Sequence, residues 1–319
     1  LLALLAALRF QTGRNLETER DRARALMLAN GMRDDEHALV VGIGCVRDLV
    51  ASGVRALSLD ELQKLVDSLD LYQSEPATLA AIQAIDRDQH PEDASFSVDW
   101  VDLFEGDHPS ERIAPTDPDV WETRMRPDLE EMVRCARSAS VQRVLVRGSM
   151  RLPIWFAVGT AFSSVAGFDI MCRQRGQVWS SEAEASGHIE VLMNKTELNQ
   201  GVDLAVVVDI AAEATEEVVQ YARTKGLPVK AAVSLGLAGG AHDQTVRNAR
   251  HAASIARAAR DAVRRLVGEH SAERLHLFLA VPGGLALLLG HRWNRIATTV
   301  PYEHLGPGAG YIPTFTIPG

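Results

Sequence analysis

The chain has 319 residues, 46% of them hydrophobic and 24% charged, a balance that excludes intrinsic disorder. Acidic residues outnumber basic ones 42 to 33, giving a net charge of −9, so a broad basic surface for long nucleic acids is excluded while a local basic pocket is not. Four of the 33 basic residues are lysine and the other 29 arginine, a bias that a GC-rich genome produces but also the side chain suited to bidentate phosphate contacts.

Residues 1 to about 72 read as helices. The apolar opening at 1–8 has the look of a signal-peptide core but lacks a basic leader and a cleavage site. Leu16–Ala29 and Glu36–Ala51 carry apolar residues at three- and four-residue spacing, with Asn30-Gly31 and Ser52-Gly53 as stops. Ser58-x-x-Glu61 has the form of a capping box ahead of the stripe Leu62, Leu65, Val66 and Leu69. Gly42-x-Gly44 has no strand before it and no third glycine, so it reads as a helix contact rather than a phosphate loop. Residues 73–94 form a polar connection with a short helix expected at 78–85, and the charged run 86–93 marks a boundary. The expected domains are a helical connector over 1–92 and an α/β domain over 93–319.

Beyond residue 93, strands and helices alternate. Strands are expected at 96–103, 141–146, 168–173, 204–210, 229–235, 275–280 and 298–302. Helices are expected at 120–138, 152–165, Thr215–Lys225, 243–268 (capped by Asp243) and 285–289. Fully apolar strands between helices predict an α/β fold with mostly parallel sheets covered on both faces. The run Val144-Leu145-Val146-Arg147-Gly148-Ser149 leads to an apolar helix holding Gly159, and the run from Leu275 to Ala280 leads to one holding Gly290, 131 residues later. Each is followed by a strand near an aromatic residue, Trp179 or Tyr302. This predicts a duplication, with halves of about 93–185 and 186–319 related by pseudo-symmetry.

Ligands of parallel sheets bind beyond the carboxyl ends of the strands. The expected site therefore gathers Gly148, Ser149, Arg151 and Leu152 from one half and Pro282, Gly283 and Gly284 from the other. Ser149 and Arg151 open a helix, where backbone N–H groups and Arg favour phosphate; a plain cap with a solvated Arg is the alternative. Arg173, Arg175, Trp179 and Ser180 provide the material of a base-stacking platform, against a Trp packed in the core and arginines in solvent. Asp209, Ser234 and the loop 236–240 are added from strand-end position alone. Arg247, Arg250, Arg257, Arg260 and Arg264 share one face of the long helix, read as solvated or as meeting a neighbouring subunit. No metal-ligand spacing, nucleophile elbow or phosphate-loop motif is present, and the acids around 126–131 read as structural. Cys45, Cys135 and Cys172 are widely spaced, which fits a reducing cytoplasm, and no apolar run approaches the roughly 18 residues of a membrane span.

Several stretches carry a resemblance: Trp121 with Pro127-Asp128-Leu129, Val144 to Gly148 with Arg151-Leu152, and Gly159-Thr160-Ala161-Phe162. Val178-Trp179-Ser180-Ser181, Leu277 to Pro282 with Leu285-Ala286 through Gly290, Tyr302 and Tyr311-Ile312-Pro313 continue it. Together they resemble the SAVED domain, the sensor of effectors in bacterial CBASS anti-phage systems, over about residues 93–319. The resemblance implies two fused CARF-like Rossmann halves that bind a cyclic oligonucleotide second messenger, often a cyclic trinucleotide. It implies self-association on binding, no further cofactor, no membrane partner, and contact with DNA only through a fused nuclease. Residues 1–72 are similar to the tail of such a nuclease-type module, and the chain starts without Met, so the catalytic part is expected upstream. In the resemblance the pocket is lined by Gly148, Ser149, Arg151, Leu152 and Trp179 with Pro282, Gly283, Gly284 and Tyr302. The other reading of the chain is an enzyme that cleaves the ligand, with His242 and Asp243 in acid–base roles. A subunit that assembles without ligand is the remaining alternative.

Overall fold

The computed structural model describes residues 16–184 and 187–319, so the apolar opening lies outside the described residues. Contacts divide the chain into two compact units, one of residues up to Leu79 with His90–Ser95, the other of Ala80–Gln89 with Phe96–Gly319.

The smaller unit contains helices α1 (Leu16–Ala29), α2 (Glu36–Ala51) and α3 (Leu59–Ser68), the first two with the predicted bounds. Asp35 caps α2 by accepting from the Ala38 N–H. The capping box forms as expected: the Glu61 N–H donates to Ser58 Oγ at 3.3 Å and the Ser58 N–H to the Glu61 carboxylate at 2.8 Å. Ala23, Met27, Ala38, Leu39, Val66 and Leu71 form its core. Gly42 is buried within α2, in keeping with a helix contact. Arg22 is 8% exposed and donates to Asp93 at 2.6 Å, and that hydrogen bond holds its charge against burial.

The larger unit holds β1 (Thr78–Gln83) from Ala80 onward, β2 (Phe96–Asp99), α4 (Arg126–Ser138), β3 (Arg143–Ser149), α5 (Leu152–Ala161), β4 (Asp169–Gln174) and β5 (Gln177–Ser180). It continues with β6 (Val191–Glu197), β7 (Asp203–Asp209), α6 (Thr215–Lys225), β8 (Val229–Leu237) and α7 (Ala249–His270). It closes with β9 (Arg274–Ala280), α8 (Gly283–His291), β10 (Thr298–His304) and β11 (Tyr311–Pro313). One sheet runs β2-β1-β3-β4-β5 and the other β11-β10-β9-β7-β8-β6. Read in the same sense, the second is β8-β7-β9-β10-β11 with β6 added outside β8. Both sheets are parallel except for their last hairpin strand and β6.

The duplication holds at residue level. β3 and β9 have bounds 131 residues apart at both ends. The packed helices α5 and α8 meet through reciprocal glycines. A Cβ on Gly159 would lie 2.2 Å from the Leu287 carbonyl oxygen, and one on Gly290 would lie 2.1 Å from that of Phe156. Gly159 and Gly290 are 131 residues apart, and so are Phe156 and Leu287, as a pseudo-two-fold axis between the helices requires.

Several expectations are corrected. Segment 78–85 is a strand: β1 is buried on both faces, so its apolar run has no period that separates strand from helix. The long helix starts at Ala249, capped by Asn248, and Asp243 lies in the preceding loop. Both residues suit a cap, and burial of Val246 ahead of the helix selects the second. Strands β5, β6 and β11 are additional; β6 is largely exposed, and its three apolar residues followed by four polar ones show neither alternation nor a fully apolar run. The arginines of α7 are not simply a solvated face. Arg257 donates to the Ala183 carbonyl at 3.1 Å and Arg250 lies 3.8 Å from Glu184. With Arg292 on the Ser181 carbonyl at 3.0 Å and Arg143 on Glu182 at 2.9 Å, they hold the segment joining the halves. The acids around 126–131 are structural: Asp128 accepts from the Trp100 indole at 2.8 Å, and Glu131 from Cys135.

Candidate functional site

Helices on opposite faces of a sheet part at a switch point, leaving a crevice at the carboxyl ends of two adjacent strands. In the second half α6 packs on one face with Phe278 and Tyr302, while α7 and α8 belong to the central core on the other. The crevice therefore falls between β7 and β9, and its equivalent in the first half falls between β1 and β3. The backbone bonds match: Ala84 and Ile85 N–H donate to the Ser149 carbonyl, Ile210 and Ala211 N–H to that of Ala280. Gln83 and Asp209 thus occupy equivalent strand ends.

The first crevice is filled by the protein itself. Gln83 Oε1 accepts from the Ser149 N–H at 2.9 Å. Arg112 donates to the Ile85 carbonyl at 2.7 Å, and Arg151 Nε donates to the Arg112 carbonyl at 2.8 Å. Gly148 has a packing reason, because a Cβ there would lie 1.8 Å from the Ile82 carbonyl oxygen.

Beside the second crevice, past the end of β7, a cleft of about 760 Å³ lies between α6, β6 and β8, its walls including Asp209, Ser234, Gly236, Gly239 and Gly240. Asp209 accepts from the Ala214 N–H at 3.0 Å and from the Thr215 hydroxyl, and so orders the start of α6. Asn194 and Thr196 of β6 and Glu216 and Arg223 of α6 complete its sides.

Between the crevices lie the starts of α5 and α8. Leu152 opens α5 and Gly283 opens α8, and a Cβ on Gly283 would meet the Trp155 indole nitrogen at 2.8 Å. The Gly284 N–H donates to Gln174 Oε1 at 3.0 Å, from the end of β4 in the opposite half. Glu303, near the end of β10, approaches Arg151 at 4.0 Å from the other side. Burial pushes the Glu303 carboxyl up to about 8, against a weaker pull from Arg151.

Ser149, Arg151, Leu152, Pro282, Gly283 and Gly284 are thus brought to one junction, while Asp209 and Ser234 line the cleft. Arg173 and Arg175 sit on the β4–β5 hairpin, where Arg175 (φ 51°) and Gly176 (φ 73°) make the tight turn. Three residues do not join them. Trp179 is 2% exposed and packs on Gly284 in the core, so it offers no open stacking face. Ser180 pairs with Met171 near the amino end of β4 and accepts from the Glu182 N–H. Tyr302 is buried on the α6 face, its hydroxyl 2.8 Å from His276 Nδ1 and its ring stacked on Phe278. Trp179 and Tyr302 are not counterparts: one lies on the hairpin strand, the other on the strand equivalent to β4. Sequence reasoning missed Gln83, Gln174 and Glu303, which sit at strand ends, and Arg112, which lies in the loop ahead of α4, none with a motif around it.

Residues 125–317 match the model of the SMODS-associated and fused to various effectors sensor domain, SAVED. The chain belongs to the SAVED family. A curated relative, CD-NTase-associated protein 4 of Enterobacter hormaechei subsp. hoffmannii, is 25% identical over 225 residues, covering 68% of this chain. The chain spans 43% of that relative's length. Among solved structures, the Acinetobacter baumannii Cap4 SAVED/CARF-domain containing receptor with the cyclic trinucleotide 3'3'3'-cAAA has a TM-score of 0.62 at 13% identity. The match covers 96% of this chain and 67% of that one. The same receptor with 2'3'3'-cAAA gives 0.61 at 13% identity with the same coverage. The Moraxella osloensis Cap4 receptor gives 0.54 at 15%, covering 96% and 66%. The expected fold, two CARF-like halves preceded by helices, is the SAVED fold, and the chain is a sensor domain of the CBASS type. Among the described residues no helix is long and apolar enough to cross a membrane, and no group of side chains is arranged to hold a metal.

Proposed function

We propose that this SAVED chain is the ligand-sensing part of a cytoplasmic CBASS effector. It binds a cyclic oligonucleotide of trinucleotide size on the carboxyl face of its paired halves. Binding drives self-association and switches on an effector activity, a DNA endonuclease, carried elsewhere in the parent protein. The helical residues ahead of β1 act as connector, and residues 78–319, which hold both sheets, as sensor. The supporting observation is one face on which two equivalent crevices, two helix starts and Arg151 converge. Such a face suits a compact ring of phosphates and bases better than a long strand. Related receptors of the same fold hold cyclic trinucleotides. The contacts proposed are Ser149, Arg151, Leu152, Pro282, Gly283 and Gly284 at the junction, Asp209 and Ser234 in the cleft, and Arg173 and Arg175 at the rim.

A thermal-shift screen of cyclic di-, tri- and tetranucleotides tests the reading. A ligand present at about 100 times its Kd stabilises the fold by about 2.7 kcal/mol, and chromatography should recover it intact. No shift with any member on folded protein would sink the proposal. Linearised ligand that disappears with His242→Ala would point to a cleaving enzyme instead. Size-exclusion chromatography with and without ligand reads the assembly step.

A further inference from the structure

The two sides of the junction differ in a compensated way. The strand registers equate Gln174 with Glu303, and the 131-residue repeat equates Gly284 with Pro153 and Pro282 with Arg151. Gln174 accepts a hydrogen bond from the Gly284 N–H. Glu303 has no such donor, because Pro153 carries no N–H. The Arg151 guanidinium stands in for it at 4.0 Å, an ion-pair separation longer than a hydrogen bond, while Arg151 Nε donates elsewhere. The Glu303 side chain is only 7% exposed. A buried carboxylate facing a single loosely placed cation is costly to ionise.

We infer that Glu303 is a positioning residue for ligand binding: it stands beside Arg151 as a neutral acid and so leaves that guanidinium uncompensated for a ligand phosphate. This inference rests on the sensor reading proposed above. An ionised Glu303 would neutralise Arg151 and repel the incoming phosphate. The mate position already holds Gln174, the neutral amide of the same shape, so the junction accommodates an uncharged side chain there. The carboxyl raised to about 8 agrees with this. Arg151 is the charge that acts on Glu303 from α5. On β10 itself Tyr302 and His304 project to the opposite face, toward His276 and Glu217, and β11 places Ile312 opposite.

The sign of the pH dependence follows. A bound phosphate favours the protonated acid, so binding above pH about 8 takes up a proton, and affinity falls as pH rises through that value. The probe is 3'3'3'-cAAA, or whichever member of the screen gives the largest shift if that one gives none. Wild-type Kd should weaken about three- to tenfold between pH about 7 and about 9, whereas Glu303→Gln should stay level. A second reading needs no ligand. A carboxyl raised on folding contributes stability that is full below its ordinary range and lost as pH rises to about 8. The Tm of Glu303→Gln minus that of wild type should therefore widen from pH about 5 to about 8. A level wild-type affinity, or a Gln variant that keeps the wild-type slope, overturns the positioning role. A Tm difference independent of pH overturns the neutral acid. If wild type binds no cyclic oligonucleotide, the sensor reading fails instead, and the Tm series still decides the state of Glu303.

Discussion

The first and second halves of the sensor share five strands in one order, with β3 and β9 matched end for end. Their carboxyl ends are nevertheless used differently. In the first half Gln83, Arg112 and Arg151 close the crevice with side-chain and backbone bonds. In the second half a cleft walled by α6, β6 and β8 lies past the end of β7. Among the described residues the first half has no counterpart of β6, and its β1–β2 connection carries only the single 3₁₀ turn Pro91–Asp93. Backbone pairing and apolar packing preserve a duplicated fold through wide sequence change, because many side chains fill the same volume. Function needs particular polar atoms at particular strand ends, so a few substitutions there separate the halves.

Four experiments test how far the two halves are equivalent. The largest effect is expected from Trp179→Ala, which empties the core beneath Gly284 and should cost about 3–5 kcal/mol in urea unfolding. A small stability loss with a large affinity loss would mean that the indole faces ligand after all. Next, Gly159→Ala and Gly290→Ala each press a methyl group on a carbonyl across the pseudo-axis. Each should cost about 3 kcal/mol, and nearly the same amount; a wide disparity would break the symmetry argument.

His291 exists only in the second half, with Thr160 at the matching position. Burial lowers its pKa to about 4, while its Nδ1 lies 2.5 Å from the Phe162 carbonyl oxygen. A histidine depressed on folding keeps its stability above the ordinary histidine range. That stability is lost as pH falls through the ordinary range toward about 4. Wild type should lose about 2–3 kcal/mol over that interval relative to His291→Gln; parallel acid profiles would refute it. The smallest pair concerns ligand. Arg151→Ala should weaken binding of a cyclic trinucleotide by about 1.5–3 kcal/mol, while Pro282→Ala, at the matching position, should change it by less than about 0.5 kcal/mol. Equal losses would argue for a symmetric pocket.

What was legible in the sequence was local or repeated. The bounds of α1 and α2 follow from apolar spacing and stop signals, and the Ser58–Glu61 box from two atoms three residues apart. Gly159 and Gly290 were visible as a repeat because the symmetry demands the same small residue on both helices. Ser149, Arg151 and the Pro282–Gly284 turn were found because strand ends announce themselves. Glu303 and Gln174 were not, since their meaning lies in what faces them from the other half. Trp179 was misplaced because Arg and Trp close in sequence point to opposite sides of a hairpin, one outward and one into the core.

The order of residues alone carried an acidic α/β chain with a helical start, an internal duplication and the resemblance to its family. Those properties rest on hydrophobic period, on short capping signals and on spacing, all carried along one dimension. Folding in three dimensions set which strand ends adjoin, that side chains close the crevice of the first half, and that Arg250 and Arg257 of α7 hold the segment between the halves. It alone set Glu303 against Arg151 and Gln174 against Gly284. Burial and the pairing of distant charges depend on three-dimensional distance, and Arg151 and Glu303 stand 152 residues apart in the chain.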